Sequence, residues 1–125
     1  MYRQVIALCT MMLCMGASAH EMTATYPVFT PSHVNGVSKT RMEIFNKRKD
    51  VEYYEIGVFD VDGKPVQFVS TYNIVHLKYL GHLKFDVYVK AEDLDKVEYI
   101  CSKSKLKTDE NTATLLSSRI CSRVR

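Results

Sequence analysis

Beyond residue 23, apolar and polar side chains alternate in short runs with a period of two, the mark of strands with one buried and one wet face. Residues 24–29 form a short apolar strand that Thr30-Pro31 ends, and Asn35-Gly36 marks a turn. Residues 40–46 set Met42 and Ile44 on one face against Arg41 and Glu43 on the other. After a charged loop at 46–50, residues 52–60 turn Tyr54, Ile56 and Val58 to one side. Asp62-Gly63 is a hairpin turn that brings residues 66–70 back alongside them. Residues 74–80 give a further strand, broken at Gly81. Residues 83–90 carry Leu83, Phe85, Val87 and Val89 inward and Lys84, Asp86, Tyr88 and Lys90 outward. One helical turn is predicted at 91–96, and strands over 97–106 and 113–124 follow. No stretch carries a helical stripe of useful length. The pattern predicts an all-β fold, an antiparallel β-sandwich of about seven or eight strands.

Residues 1–19 break this rhythm and read as a secretory signal peptide. Arg3 supplies the positive start, an uncharged run extends from Val5 to Met15, and Ala17 and Ala19 form an A-x-A cleavage pattern. The run is about half the roughly 20 residues needed to cross a bilayer, so no membrane span is expected. The domain is then residues 20–125, beginning at His20, and the product is periplasmic or secreted. A chain with 46% hydrophobic and 25% charged residues has an ordinary globular balance, which argues against disorder.

Removal of the leader also removes Cys9 and Cys14, leaving Cys101 and Cys121. In an oxidising compartment an even count reads as a disulfide, worth roughly 3 kcal/mol for a loop of about 20 residues. A free thiol and a metal site are the alternatives, and the absence of a C-x-x-C pair speaks against zinc. Setting Cys101 against Cys121 fixes a register for the last two strands. Ser102 then opposes Ile120, Leu106 opposes Leu116, and the tip falls at Asn111 within a polar stretch. Lys103, Lys105, Arg119, Arg123 and the disulfide share one face, while Ile100, Leu106, Leu116, Ile120 and Val124 share the other. Tyr99 falls on the polar face with Cys101, so either a bulge changes the parity or Tyr99 covers the disulfide from outside.

Asp95-Lys96-Val97-Glu98-Tyr99-Ile100-Cys101 resembles the D-x-A-x-Y-x-C corner of immunoglobulin-type sandwiches, in which the Tyr ties a loop to the start of a late strand. The resemblance makes Asp95 and Tyr99 a structural corner. A closer likeness is to the N-terminal immunoglobulin-like domain of PapD-type periplasmic pilus-assembly chaperones. It is carried by Tyr26-Pro27-Val28-Phe29-Thr30-Pro31, Met42-Glu43-Ile44-Phe45-Asn46-Lys47 and Tyr54-Glu55-Ile56-Gly57-Val58-Phe59-Asp60. Asp62-Gly63-Lys64-Pro65, Phe85-Asp86-Val87-Tyr88-Val89 and Val97-Glu98-Tyr99-Ile100-Cys101 extend it over residues 24–106. The family's chaperones have two domains and hold a subunit carboxylate with a basic pair. Here one sandwich is read, and Pro31, Ser32 and His33 occupy the region of the family's first-strand Arg. The resemblance implies a sheet edge that accepts or donates a strand to a protein partner.

Charge and candidate chemistry refine this reading. From Lys96 onward, Lys96, Lys103, Lys105, Lys107, Arg119, Arg123 and Arg125 outweigh Glu98, Asp109 and Glu110. Such a basic hairpin steers acidic partners or guards an edge strand, and Lys103, Lys105, Arg119 and Arg123 are its candidate binding residues. Export and the lack of an aromatic-basic motif argue against nucleic acid. Asp60-x-Asp62-Gly63 lacks the remaining ligands of a calcium loop and reads as a turn. There is no G-x-S-x-G, H-E-x-x-H or phosphate-loop motif, so no catalytic residue and no cofactor is assigned. One alternative is a copper-binding periplasmic protein, with His20 as a new N-terminus chelating through its amine and ring and a second imidazole from His33, His76 or His82. Another is a structural component of an envelope or virion assembly. The leading expectation is an exported, chaperone-like module that binds protein through a sheet edge or the basic hairpin.

Overall fold

The computed structural model describes residues 20–105 and 118–124. The predicted leader, the turn at Asn111, the Leu106–Leu116 pair, Lys107 and Arg125 lie outside the described residues. The elements are β1 (Glu21–Thr23), β2 (Thr30–Pro31), β3 (Val37–Phe45), β4 (Tyr53–Phe59) and β5 (Val69–Ser70). β6 (Ile74–His76), β7 (His82–Lys90), a 3-10 turn (Ala91–Lys96), β8 (Tyr99–Lys105) and β9 (Arg119–Arg123) complete them. One sheet runs β1-β3-β7-β5 with β2 also on β3, and the other runs β6-β4-β8-β9, every pairing antiparallel. This is the expected immunoglobulin-like sandwich.

The core follows the parity of the alternation. Met42 and Ile44 of β3, Tyr54, Ile56 and Val58 of β4, and Phe85, Val87 and Val89 of β7 are all buried in one cluster with Ile100. Each such side chain contributes about 1.5–3 kcal/mol by leaving water. Leu83 packs against the cluster from its margin. Gly36 ends the turn before β3 with φ of 77°, a left-handed conformation that glycine adopts without Cβ strain.

Three expected strands are redrawn. Residues 24–29 are not a strand: β1 and β2 flank them, both on β3, and Tyr26 and Val28 are exposed. Pro27 has no N–H to give the β3 ladder, so the edge is interrupted there. Residues 66–70 do not run back along β4. Pro65 bridges Phe59 and the Val66 N–H donates to Val58 O at 2.8 Å, but Val69 and Ser70 then pair with Tyr88 and Val87 of β7. The rest of that β4 edge is already taken, by Asn73 O accepting from Ile56 N and by β6. Finally, β6 stops at His76. Leu77 is buried, its carbonyl accepting from Asn46 Nδ2 at 2.9 Å, and Leu80 turns away with φ of 64°. The turn at 91–96 is found as predicted.

Candidate functional site

The last hairpin carries the candidate binding residues, and its register is the one set by the cysteines. Cys101 opposes Cys121 and Ser102 opposes Ile120, and the two sulfurs are bonded with Cα atoms 4.1 Å apart. Lys103, Lys105, Arg119 and Arg123 therefore share the outer face with the disulfide, while Ile100 and Ser102 are buried inward. The pairing is continuous from Tyr99–Arg123 to Lys103–Arg119, so no bulge intervenes. Tyr99 lies on the outer face beside Phe59 of β4 and Arg123 of β9. Asp95 is exposed in the turn below it.

Among the described residues β9 pairs only with β8 and lies at the edge of its sheet. Ser104 N donates to Ser118 O and Val124 N donates to Glu98 O, at 2.8 and 2.9 Å. Antiparallel strands alternate bonded and non-bonded pairs, so the even positions of β9 are spent on β8. The main-chain groups of Arg119, Cys121 and Arg123 consequently face the open edge. A groove of about 630 Å³ runs beside Cys121 and Arg123, lined also by Thr25, Tyr26, Glu98 and Val124.

The four basic side chains are not equivalent. Lys105 Nζ is 3.4 Å from Glu55 and Arg123 Nε is 2.9 Å from Glu98. Exposed pairs of this kind contribute about 0.2–1 kcal/mol. Arg119 instead lies over the Phe59 ring, its guanidinium carbon 4.7 Å from the ring centre, with Nη2 3.6 Å from Cys101 Sγ. Lys103 is directly opposite Arg119.

Where the first residues meet this hairpin there is a buried polar cluster. His20 is buried between the sheets, with Nε2 2.8 Å from Ser102 Oγ and Nδ1 3.0 Å from Ser118 Oγ. Its ring packs on Tyr54 with centres 4.5 Å apart. Arg48 is held by both oxygens of Asp50, at 2.9 and 2.6 Å, and its Nη1 is 3.4 Å from Ser118 Oγ. Tyr54 OH donates to Asn46 Oδ1 at 2.5 Å. Burial pulls the His20 imidazole below its ordinary value, the contact with Ser102 opposes this, and the Arg48 charge adds to the depression. Burial also pushes the Tyr54 hydroxyl up to about 12. The Arg48 guanidinium holds the Asp50 carboxyl below its usual value. Sequence reasoning placed His20 at an exposed terminus and missed this cluster. Its signal was Ser102, Ser104 and Ser122, polar residues at the inward parity of the hairpin, all three buried.

The other histidines do not gather on His20. His33 is exposed, His76 lies on Tyr53 with Nε2 3.0 Å from Glu52, and His82 lies on Phe45 with Nδ1 3.2 Å from Glu43. Among the described residues no group of three or more His, Cys, Asp or Glu side chains is placed to hold a metal ion. No helix among them is long and apolar enough to cross a membrane.

Solved structures of similar architecture include chaperones. The Escherichia coli chaperone DraB superposes with a TM-score of 0.63 at 19% identity, covering 85% of this chain and 53% of DraB. A structure of the Salmonella enterica SafA pilin in complex with the SafB chaperone gives 0.63 at 15% identity, with 89% and 55% coverage. The periplasmic chaperone SfaE gives 0.54 at 15% identity, with 86% and 56% coverage. This chain thus spans about half the length of each of these structures. No protein-family model and no curated protein matches it. The likeness to the immunoglobulin-like domain of PapD-type chaperones, read from the sequence, holds at the level of the fold.

Proposed function

We propose that this chain is an exported, chaperone-like binding module, non-catalytic and periplasmic, which takes a strand of a protein partner along β9. Residues 1–19 serve as its leader and residues 20–125 as one immunoglobulin-like domain. The observation that carries the reading is the edge position of β9 among the described residues, with the main-chain groups of Arg119, Cys121 and Arg123 directed away from β8 and a groove beside the last two. An unpaired ladder of this kind is what strand addition uses. The fold likeness to chaperones, one of them seen with a pilin, supports an assembly subunit as the partner.

The edge is tested by proline. Arg123→Pro removes an N–H that β8 does not use, and proline is tolerated on such an edge. Arg123→Gln removes the charge and keeps the N–H. Capture experiments with the tagged, exported chain in envelope extract should recover the same partner with wild type and Arg123→Gln and lose it with Arg123→Pro. Equal recovery by Arg123→Pro, with an unchanged circular dichroism spectrum, removes strand addition at β9.

A further inference from the structure

The outer face of the second sheet holds a groove of about 460 Å³ at the place where the chain leaves β4 for the other sheet. Gly57 makes it possible. A Cβ there would lie 2.7 Å from Cε2 and Cζ of Phe59, so the ring lies across a position that has no side chain. The Arg119 guanidinium lies over that ring, and Pro65, Phe68, Lys103 and Glu55 are among the other walls.

The charges in this groove are unbalanced. Lys103 and Arg119 are cross-strand partners of like charge, an arrangement that disfavours the pairing of their strands. Glu55 faces Lys103 in the register, yet its carboxylate is 3.4 Å from Lys105 instead. Arg123, further along β9, has Glu98. Among the described residues of this face, Glu55 is thus the carboxylate next to Lys103 and Lys105, and no ion pair is seen for Lys103 or Arg119. Arg119 is already placed by Phe59 and the sulfur of Cys101, so it loses little freedom on meeting a ligand and keeps further N–H groups to donate. A carboxylate fits the outward fork of such a guanidinium. The aromatic and proline surface beside it fits an apolar side chain.

We propose that this groove binds an acidic side chain of the protein partner, seated on Arg119 and Lys103, with an adjacent aromatic side chain laid against Phe59, Pro65 and Phe68. The inference rests on the reading of the chain as a protein-binding module and names the partner chemistry of its hairpin face. It adds a contact on the sheet's face to the one along its edge.

The probe is an acetylated, amidated synthetic peptide with an Asp-Phe-Glu core, titrated into the full exported chain by fluorescence anisotropy and by NMR. Binding should move the amide resonances of Gly57, Phe59, Lys103 and Arg119. It should weaken roughly tenfold with Arg119→Gln, with Lys103→Gln, or with an Asn-Phe-Gln core, about 1.4 kcal/mol each. Gly57→Ala, which displaces the Phe59 ring beneath Arg119, should weaken it as well. Unchanged affinity in the two charge variants, resonance changes elsewhere, or equal affinity for a sulfated oligosaccharide overturns the proposal. In the envelope capture experiment, a partner lost by Arg123→Pro but held fully by the Lys103→Gln/Arg119→Gln double variant also overturns it, while leaving strand addition intact.

Discussion

His20 is the residue whose placement departs most from a simple strand pattern. The Ser102 and Ser118 hydroxyls, the Tyr54 ring and the Arg48 guanidinium, itself paired with Asp50, surround it, while its neighbour Glu21 is held by Lys47. Its imidazole loses affinity for a proton on folding, chiefly through burial. The unfolded chain then binds more protons than the folded one as pH falls below the ordinary imidazole value of about 6.5. Stability from this group is complete above that value and declines below it. Urea midpoints at pH 7.5 and 5.5 (chosen above the carboxylate range) should therefore differ more for wild type than for His20→Gln. Equal differences would show that His20 is not buried in its neutral form.

At the level of elements, the hairpin β8–β9 is held both by its sulfur bridge and by its inward face. Arg119, Cys121 and Arg123 are exposed, while Ile120 and Val124 pack against the margin of the core and Ser122 is buried. The cysteines are 20 residues apart, and replacing both with alanine should cost about 3 kcal/mol, measured by denaturant unfolding with and without a reductant. β3, β4, β7 and the hairpin register were legible in the sequence, because each alternates without interruption and one face is buried. The segments 24–29 and 66–70 were not. Whether an apolar run joins a given edge depends on which other segment occupies that edge, and local periodicity carries no such information. The candidate site was half legible for a similar reason. The outward face of Lys103, Lys105, Arg119 and Arg123 follows from parity, but their different partners come from β4 and from the residues before β8.

For the molecule as a whole, stability comes from side chains meeting between the sheets. Phe85 is buried opposite Met42 in the β3–β7 pair, at the centre of the cluster. Phe85→Ala should cost about 3–5 kcal/mol, a large share of the roughly 5–15 kcal/mol that holds a domain folded. Thermal melts followed by circular dichroism test this, and a loss under 1 kcal/mol would contradict a close-packed interior. Both bridged sulfurs belong to one sheet, so the crosslink stitches neighbouring strands of a single wall and leaves the seam between the walls unsewn. A reductant should thus loosen the rim of that wall, with faster amide exchange in β9 and little change in β3 or β7. Opening the seam itself breaks no covalent bond among the described residues, so the junction of the two walls rests on the buried side chains between them.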